Sequence, residues 1–290
     1  NWKQELAGFI QKINADLPKF RCINIKNDET LITNQLVAAL TKGEKYIIGL
    51  MKQGLNIDDI TSKIQFTFNV SENYFFEMAK IRAFRMLWAN LVKQYAPEHQ
   101  CSMICYIHCQ TNLNITEGKN YSNLLNSTTQ AMSAILGGCD SFSIGEFDGE
   151  QNNFSSRIAR NIQLILKEES YLDKIADPAG GSYYIEGLTS EISKEAWSKF
   201  KGQNSDLSKT VTSFSETLNV SSKKVSLNGW LQERQISENW QTPEKIDLRS
   251  VYGKEDTVEA TMISAIILSK LRPENCLQLD TNGITSVTGA

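Results

Sequence analysis

The chain has 290 residues, 41% of them hydrophobic, which is enough for one large domain or two smaller ones. Its formal charge is −3 and its pI lies near 5.6, a balance without the clustered Lys and Arg that a nucleic-acid face requires. No run of about 20 apolar residues and no basic-then-apolar leader is present, so neither a membrane span nor secretion is expected and a cytoplasmic location is. Six cysteines in such a chain are expected to be reduced thiols. A chain that opens on Asn1 is expected to have its true start upstream.

Helices and strands alternate along the chain. Residues 6–17 read as a helix, 22–25 as a short buried strand and 31–53 as a long helix. Residues 64–70 read as a strand. Residues 73–95 are helical, with Ile81, Phe84, Trp88, Leu91, Val92 and Tyr95 on one face, and Pro97 stops them. Residues 102–110 form the next strand. Residues 122–136 form the next helix, closed by Gly137 and Gly138. A strand at 141–144, a helix at 154–169, a weak strand near 174–176 and a helix at 189–200 follow.

This alternation predicts βα units on a parallel sheet, four or five of them. They fit half of an eight-stranded barrel or an open doubly wound sheet. No Gly-x-Gly-x-x-Gly follows a strand, which weakens the dinucleotide-binding version. Beyond residue 200 the texture changes. Residues 202–224 are rich in Ser, Thr and Lys and read as linker, 256–271 as a helix and 276–280 as a strand, with Asn282 and Gly283 as a turn signal. The expected division is a barrel-type region at 1–200, a linker at 201–250 and the start or remnant of a small α/β domain at 251–290.

His108 and Gln110 sit two apart near the carboxyl end of a strand, so they share a face at the end where ligands bind in parallel α/β folds. A capped histidine satisfying loop carbonyls is the bland alternative. Cys101, Cys105 and Cys109 suggest a metal site by spacing. In a continuous strand, however, the outer two would lie ~26 Å apart, so buried thiols are expected instead. Lys80, Arg82 and Arg85 form a basic cluster for which a solvated helix face or ion pairs with Glu77 are expected. Asp177 reads as a turn former rather than a catalytic carboxylate. His99 and His108 are the only histidines in the chain, and neither stands in a triad context.

Three strings carry a resemblance: FFEMAKIRAFRMLWANLVKQYAP, IHCQTNLNITEG, and FSSRIARNIQLILKEES followed by DPAGGSYYIE. Together they resemble the barrel domain of the methylmalonyl-CoA mutase family over roughly residues 1–200. The resemblance implies a (β/α)8 barrel of TIM type, of which the carboxyl-terminal half is present, then a linker and a reduced α/β domain. It implies an adenosylcobalamin-dependent isomerase, an intramolecular transferase acting on an acyl-CoA. The strand-end histidine and glutamine that line the family's substrate cavity fall on His108 and Gln110. The arginine that contacts CoA falls on Lys63, which keeps the charge but loses the planar fork. A serine and a phenylalanine fall on Gln65 and Thr67. A cavity glutamine falls near Asp140, whose carboxylate would repel an anionic substrate.

Three departures from the pattern matter. Where catalytic members carry Gly-Tyr-His after the first of these strands, the chain reads CINIKNDETLITNQ, without a histidine to polarise the thioester. The cobalamin lower-ligand motif Asp-x-His-x-x-Gly is not met, because Pro97 precedes His99 by two and Tyr106 precedes His108 by two. The family's first four strands have no counterpart, and four strands cannot close an eight-stranded barrel. The resemblance therefore implies a small, non-catalytic subunit in a heterodimer. No cofactor is expected in this chain, and adenosylcobalamin is expected on a catalytic large subunit. The rival expectations are an active mutase chain using cobalamin on a separate polypeptide, and a residual CoA-binding module. No catalytic or metal-binding residue is assigned.

Overall fold

The computed structural model describes residues 2–26, 28–111, 120–149, 152–174 and 177–203, together with the backbone of four short strands further on. The elements run α1 (Trp2–Asp16), β1 (Ile23–Lys26), α2 (Ile32–Met51), α3 (Ile57–Thr61), β2 (Ile64–Val70), α4 (Tyr74–Lys93), a 3-10 turn (Gln100–Met103), β3 (Tyr106–Thr111), α5 (Asn120–Leu136), β4 (Ser141–Ser143), α6 (Asn153–Glu168) and α7 (Tyr183–Gln203). The later strands are β5 (Asn239–Gln241), β6 (Asp247–Arg249), β7 (Cys276–Asp280) and β8 (Gly283–Val287). These pair antiparallel, β5 with β6 and β7 with β8. The helix expected at 256–271, most of the linker, residues 175–176 and Asn282 lie outside the described residues. No helix among the described residues is long and apolar enough to cross a membrane.

The four strands β1 to β4 form one parallel sheet in sequential order. The expected βα alternation is therefore present. Alternation along each strand splits the sheet into two faces. Ile23, Ile25, Ile64, Phe66, Phe68, Val70, Ile107 and Cys109 point into one core shared with side chains of α1, α2, α4, α5 and α7. Phe66 meets both Phe84 and Trp88 edge-on, at 4.6 and 4.7 Å between centroids. The intervening residues make the second face, and they are polar or amphipathic.

Helix α4 runs through the middle of this core. All of 77–92 is buried, not only the apolar stripe legible in the sequence. Lys80, Arg82 and Arg85 are fully buried, so the solvated face expected for them does not exist. Each cation survives burial through partners. Lys80 pairs with Glu77, as the sequence suggested, and donates to Gln35 Oε1 at 3.0 Å and the Asn69 carbonyl at 2.7 Å. Arg85 donates to the Cys105 carbonyl at 2.9 Å, to the Gly138 carbonyl, and to Asp140 Oδ2 at 2.6 Å. Arg82 pairs with Asp177 and Glu186.

Several boundaries differ from the sequence reading, among them the start of α1, at Trp2 rather than residue 6. The strand expected from residue 102 starts at Tyr106, because Asp58 captures the preceding loop. Its carboxylate accepts from the backbone N–H of Glu98 and His99, both at 3.1 Å, and from the Ser102 hydroxyl. Burial alone would raise the Asp58 carboxyl; these donors more than offset it and hold it low. Helix α7 starts at Tyr183 rather than 189. Gly187 depresses local helix propensity there, but Arg82 holds Glu186 in the first turn. Lys174 lies in a bend, not a strand. The other ends follow local rules. Gly138, at φ 88°, closes α5, and Asn152 caps α6 by accepting from the N–H of Phe154 and Ser155 at 3.0 and 2.9 Å.

Candidate functional site

The polar face of the sheet is a grid of hydrogen bonds between neighbouring strands. Thr67 donates to Asn24 Oδ1 at 2.7 Å, linking β2 to β1. Gln110 donates from Nε2 to Asn69 Oδ1 at 2.6 Å, linking β3 to β2. The imidazole of His108 spans two serines of β4, with Nδ1 2.7 Å from Ser141 Oγ and Nε2 3.2 Å from Ser143 Oγ. Beyond the strand ends, the Gly145 N–H donates to Thr111 Oγ1 at 2.9 Å. Arg21 stacks on Tyr106 at 4.0 Å from the ring centre.

Parallel pairing fixes who neighbours whom. His108 sits opposite Thr67 and Ser141, and Gln110 opposite Asn69 and Ser143. Half-burial lowers the His108 pKa below its ordinary value, so the imidazole is neutral near pH 7 and offers one donor and one acceptor.

Among the residues singled out from the sequence, Gln65, Thr67, His108 and Gln110 share this face. Lys63 stands just before β2, at the amino end of the sheet. It is fully buried and donates to the Pro18 carbonyl at 2.6 Å; burial lowers its pKa. Asp140 turns away from the grid. Its Oδ2 accepts from Arg85 at 2.6 Å and from the Ile107 N–H at 2.8 Å. The charge expected to repel an anionic substrate is therefore neutralised by a buried guanidinium. Burial would lower the Arg85 pKa, but Asp140 beside it holds it above its ordinary value.

The cysteine cluster divides. Cys105 and Cys109 are free and buried as expected. Cys101 is half-buried in the 3-10 turn and disulfide-bonded, which departs from the expected free buried thiol and removes it from the strand on which the ~26 Å spacing was reckoned. Burial pushes the Cys105 thiol up to about 12. Cys109 is raised too, first by burial and then by the Cys139 thiol beside it.

Sequence reasoning missed two features. Ser141 and Ser143 as partners of His108 depend on strand register, which the alternation of apolar residues alone does not supply. The pairing of Arg82 with Asp177 and Glu186 joins segments about a hundred residues apart. The available signal was the unexplained conjunction of a mid-helix arginine with two acids flanking a Gly-Gly turn.

His108 has both ring nitrogens engaged by serine hydroxyls. The His99 loop is held through its backbone N–H by Asp58.

Comparison with known proteins follows the same residues. The family model "Methylmalonyl-CoA mutase" matches residues 5–205. The chain is 36% identical over 201 residues to the methylmalonyl-CoA mutase of Rhizobium meliloti (strain 1021), covering 66% of this chain and 28% of that protein. It is 40% identical over 195 residues to the methylmalonyl-CoA mutase small subunit of Porphyromonas gingivalis, covering 64% of this chain and 32% of that one. It is 36% identical over 200 residues to the methylmalonyl-CoA mutase of Escherichia coli (strain K12), covering 66% and 28%. The chain thus spans about a third or less of the length of these relatives.

Proposed function

The chain belongs to the methylmalonyl-CoA mutase family, and from that premise we propose that it serves as a small, non-catalytic subunit of a methylmalonyl-CoA mutase. Its partner is a catalytic large subunit that carries adenosylcobalamin, and the complex interconverts methylmalonyl-CoA and succinyl-CoA. The observation that carries this reading is the 40% identity to a relative named as a small subunit. The stretch from Cys22 onward supports it. Where the resemblance places a histidine after the strand to polarise the thioester, the chain reads CINIKNDETLITNQ and has none.

In this reading the parallel sheet is the carboxyl-terminal half of a (β/α)8 barrel. A doubly wound sheet carries helices on both faces and buries both. Here one face is apolar and packed by helices while the other is polar, which supports the barrel reading over the doubly wound one. A half-barrel needs another chain segment along its two edges. Residues 201–250 act as a linker and 251–290 as a reduced α/β domain.

A second reading keeps the chain active, with cobalamin on another polypeptide. The presence of His108 and Gln110 on the polar face favours it. The test is the solution mass of the chain, alone and co-expressed with a catalytic mutase subunit. A one-to-one complex that turns over acyl-CoA only with adenosylcobalamin on the partner is the expected result. A lone chain that ignores the partner refutes the subunit reading, and direct titration with CoA then asks whether a binding module remains.

A further inference from the structure

We propose that Ser143, His108 and Ser141 form an acyl-transfer relay, in which Ser143 accepts an acyl group from an activated ester or thioester. The relay is read from the ring of His108. One nitrogen, Nδ1, lies 2.7 Å from Ser141 Oγ, and the other, Nε2, lies 3.2 Å from Ser143 Oγ. A neutral imidazole carries one proton. With that proton on Nδ1 it donates to Ser141, and Nε2 accepts the O–H of Ser143. That is the order a nucleophilic hydroxyl needs: a base within hydrogen-bond reach, itself oriented by a third group. Ser141 fills the orienting role, and it is fixed directly opposite His108 by the β3–β4 register.

The remaining requirement is a donor for the oxyanion that develops when a carbonyl is attacked. Gln110 lies opposite Ser143 in the same ladder, on the same face. Its carboxamide nitrogen carries two protons and gives one to Asn69 at 2.6 Å. In this scheme the second serves as the oxyanion donor. Ser143 is exposed, so a small acyl donor reaches it.

The step balances without a co-reactant. Ser143 Oγ bonds to the acyl carbon while its proton passes to His108 Nε2. The bond from that carbon to the leaving oxygen or sulfur breaks, and the leaving group takes the proton from His108. The product is an ester on Ser143, which water clears by the same route in reverse. Ser143 and His108 are catalytic residues in this scheme, and Ser141 is a positioning residue. The relay is independent of the small-subunit reading and assigns no mutase chemistry to the chain.

The experiment is incubation of the full chain with p-nitrophenyl acetate, following p-nitrophenol release and mapping the acetylated residue by peptide mass spectrometry. The expected result is acetyl on Ser143, lost in Ser143→Ala and slowed at least tenfold in His108→Gln. The rate should rise with pH through an ionisation below the ordinary histidine range and then level off, as the lowered His108 pKa requires. Ser141→Ala should move that ionisation and slow acetylation, and Ser141→Thr should restore both, which a merely structural serine would not do. No acetyl on Ser143, or acetylation of Ser143 at an unchanged rate in His108→Gln with native circular dichroism, overturns the proposal. The probe contains no CoA, so that failure leaves the subunit reading intact, and failure of the subunit reading leaves this one intact.

Discussion

The approach of Trp88 to Gly43 gives the sharpest test of the core. Trp88 is 1% exposed and stands on α4 against Phe66 of β2. On α2, a Cβ added to Gly43 would lie 2.5 Å from Trp88 Cζ3. Truncating an indole that buries roughly 200 Å² at about 25 cal/mol/Å² removes about 5 kcal/mol, and Trp truncations generally cost about 3–5 kcal/mol. Trp88→Ala should therefore destabilise by about 3–5 kcal/mol. Gly43→Ala alone faces two opposed effects. Helix propensity favours it by about 1 kcal/mol, while overpacking costs about 1–3 kcal/mol, so the net sign is destabilising. In the Trp88→Ala background the methyl enters the vacated space and the same change becomes stabilising. Urea unfolding followed by circular dichroism, run as a double-mutant cycle, should give a coupling of about 2 kcal/mol. If Trp88→Ala does not fold, Trp88→Leu opens the same space at lower cost. Gly43→Ala raising stability equally in both backgrounds would refute the contact.

Other outcomes follow from the buried charges and the turn before α7. Asp177→Ala leaves Arg82 short of a partner in the core and should cost about 3 kcal/mol; Arg82→Leu combined with Asp177→Ala should melt higher than Asp177→Ala alone. Glu44 is fully buried and its carboxyl is raised by burial, only partly opposed by the Tyr95 hydroxyl. A raised carboxyl binds its proton more tightly in the folded state, so its stabilisation is complete below the unfolded pKa and fades as pH rises through the folded one. Glu44→Gln should be the more stable protein at pH 7 and should lose that part of the pH dependence in thermal melts. Gly180→Ala and Gly187→Ala should have opposite signs. A Cβ on Gly180 meets Asp177 Oδ2 at 3.0 Å and should cost about 1–3 kcal/mol, whereas one on Gly187, inside α7, meets nothing within 4 Å and should gain about 1 kcal/mol; a gain from both would show the turn is not packed on Asp177.

Periodicity made the frame legible. Residues 64–70 read as a strand because five of the seven suit a pleated, half-buried surface, and β2 has those bounds. The rule that failed was the inference from charge to exposure. Lys80, Arg82 and Arg85 look solvated because, beside the local pair of Lys80 with Glu77, their partners are Gln35, Asp140, Asp177 and Glu186, which no local window contains. The same limit hid Ser141 and Ser143. His108 and Gln110 were visible as a same-face pair within one strand. What faces them across the sheet is a matter of register, and register is set by packing on the other side. Tertiary pairing also decided the start of α7, where Gly187 alone argues for a later one.

The buried cations of α4 tie that hidden frame to the polar face. Lys80 holds the Asn69 carbonyl at the end of β2, and the Asn69 carboxamide in turn receives Gln110. Arg85 holds the Cys105 and Gly138 carbonyls and Asp140, which brace the starts of β3 and β4 and so the register that sets His108 opposite Ser141. Arg82 fastens Asp177 and Glu186, joining the turn before α7 to the same helix. Each contact is made from α4, on the apolar side of the sheet. Stripping one partner from such a pair costs several kcal/mol, whereas changing a side chain on the half-exposed face costs little.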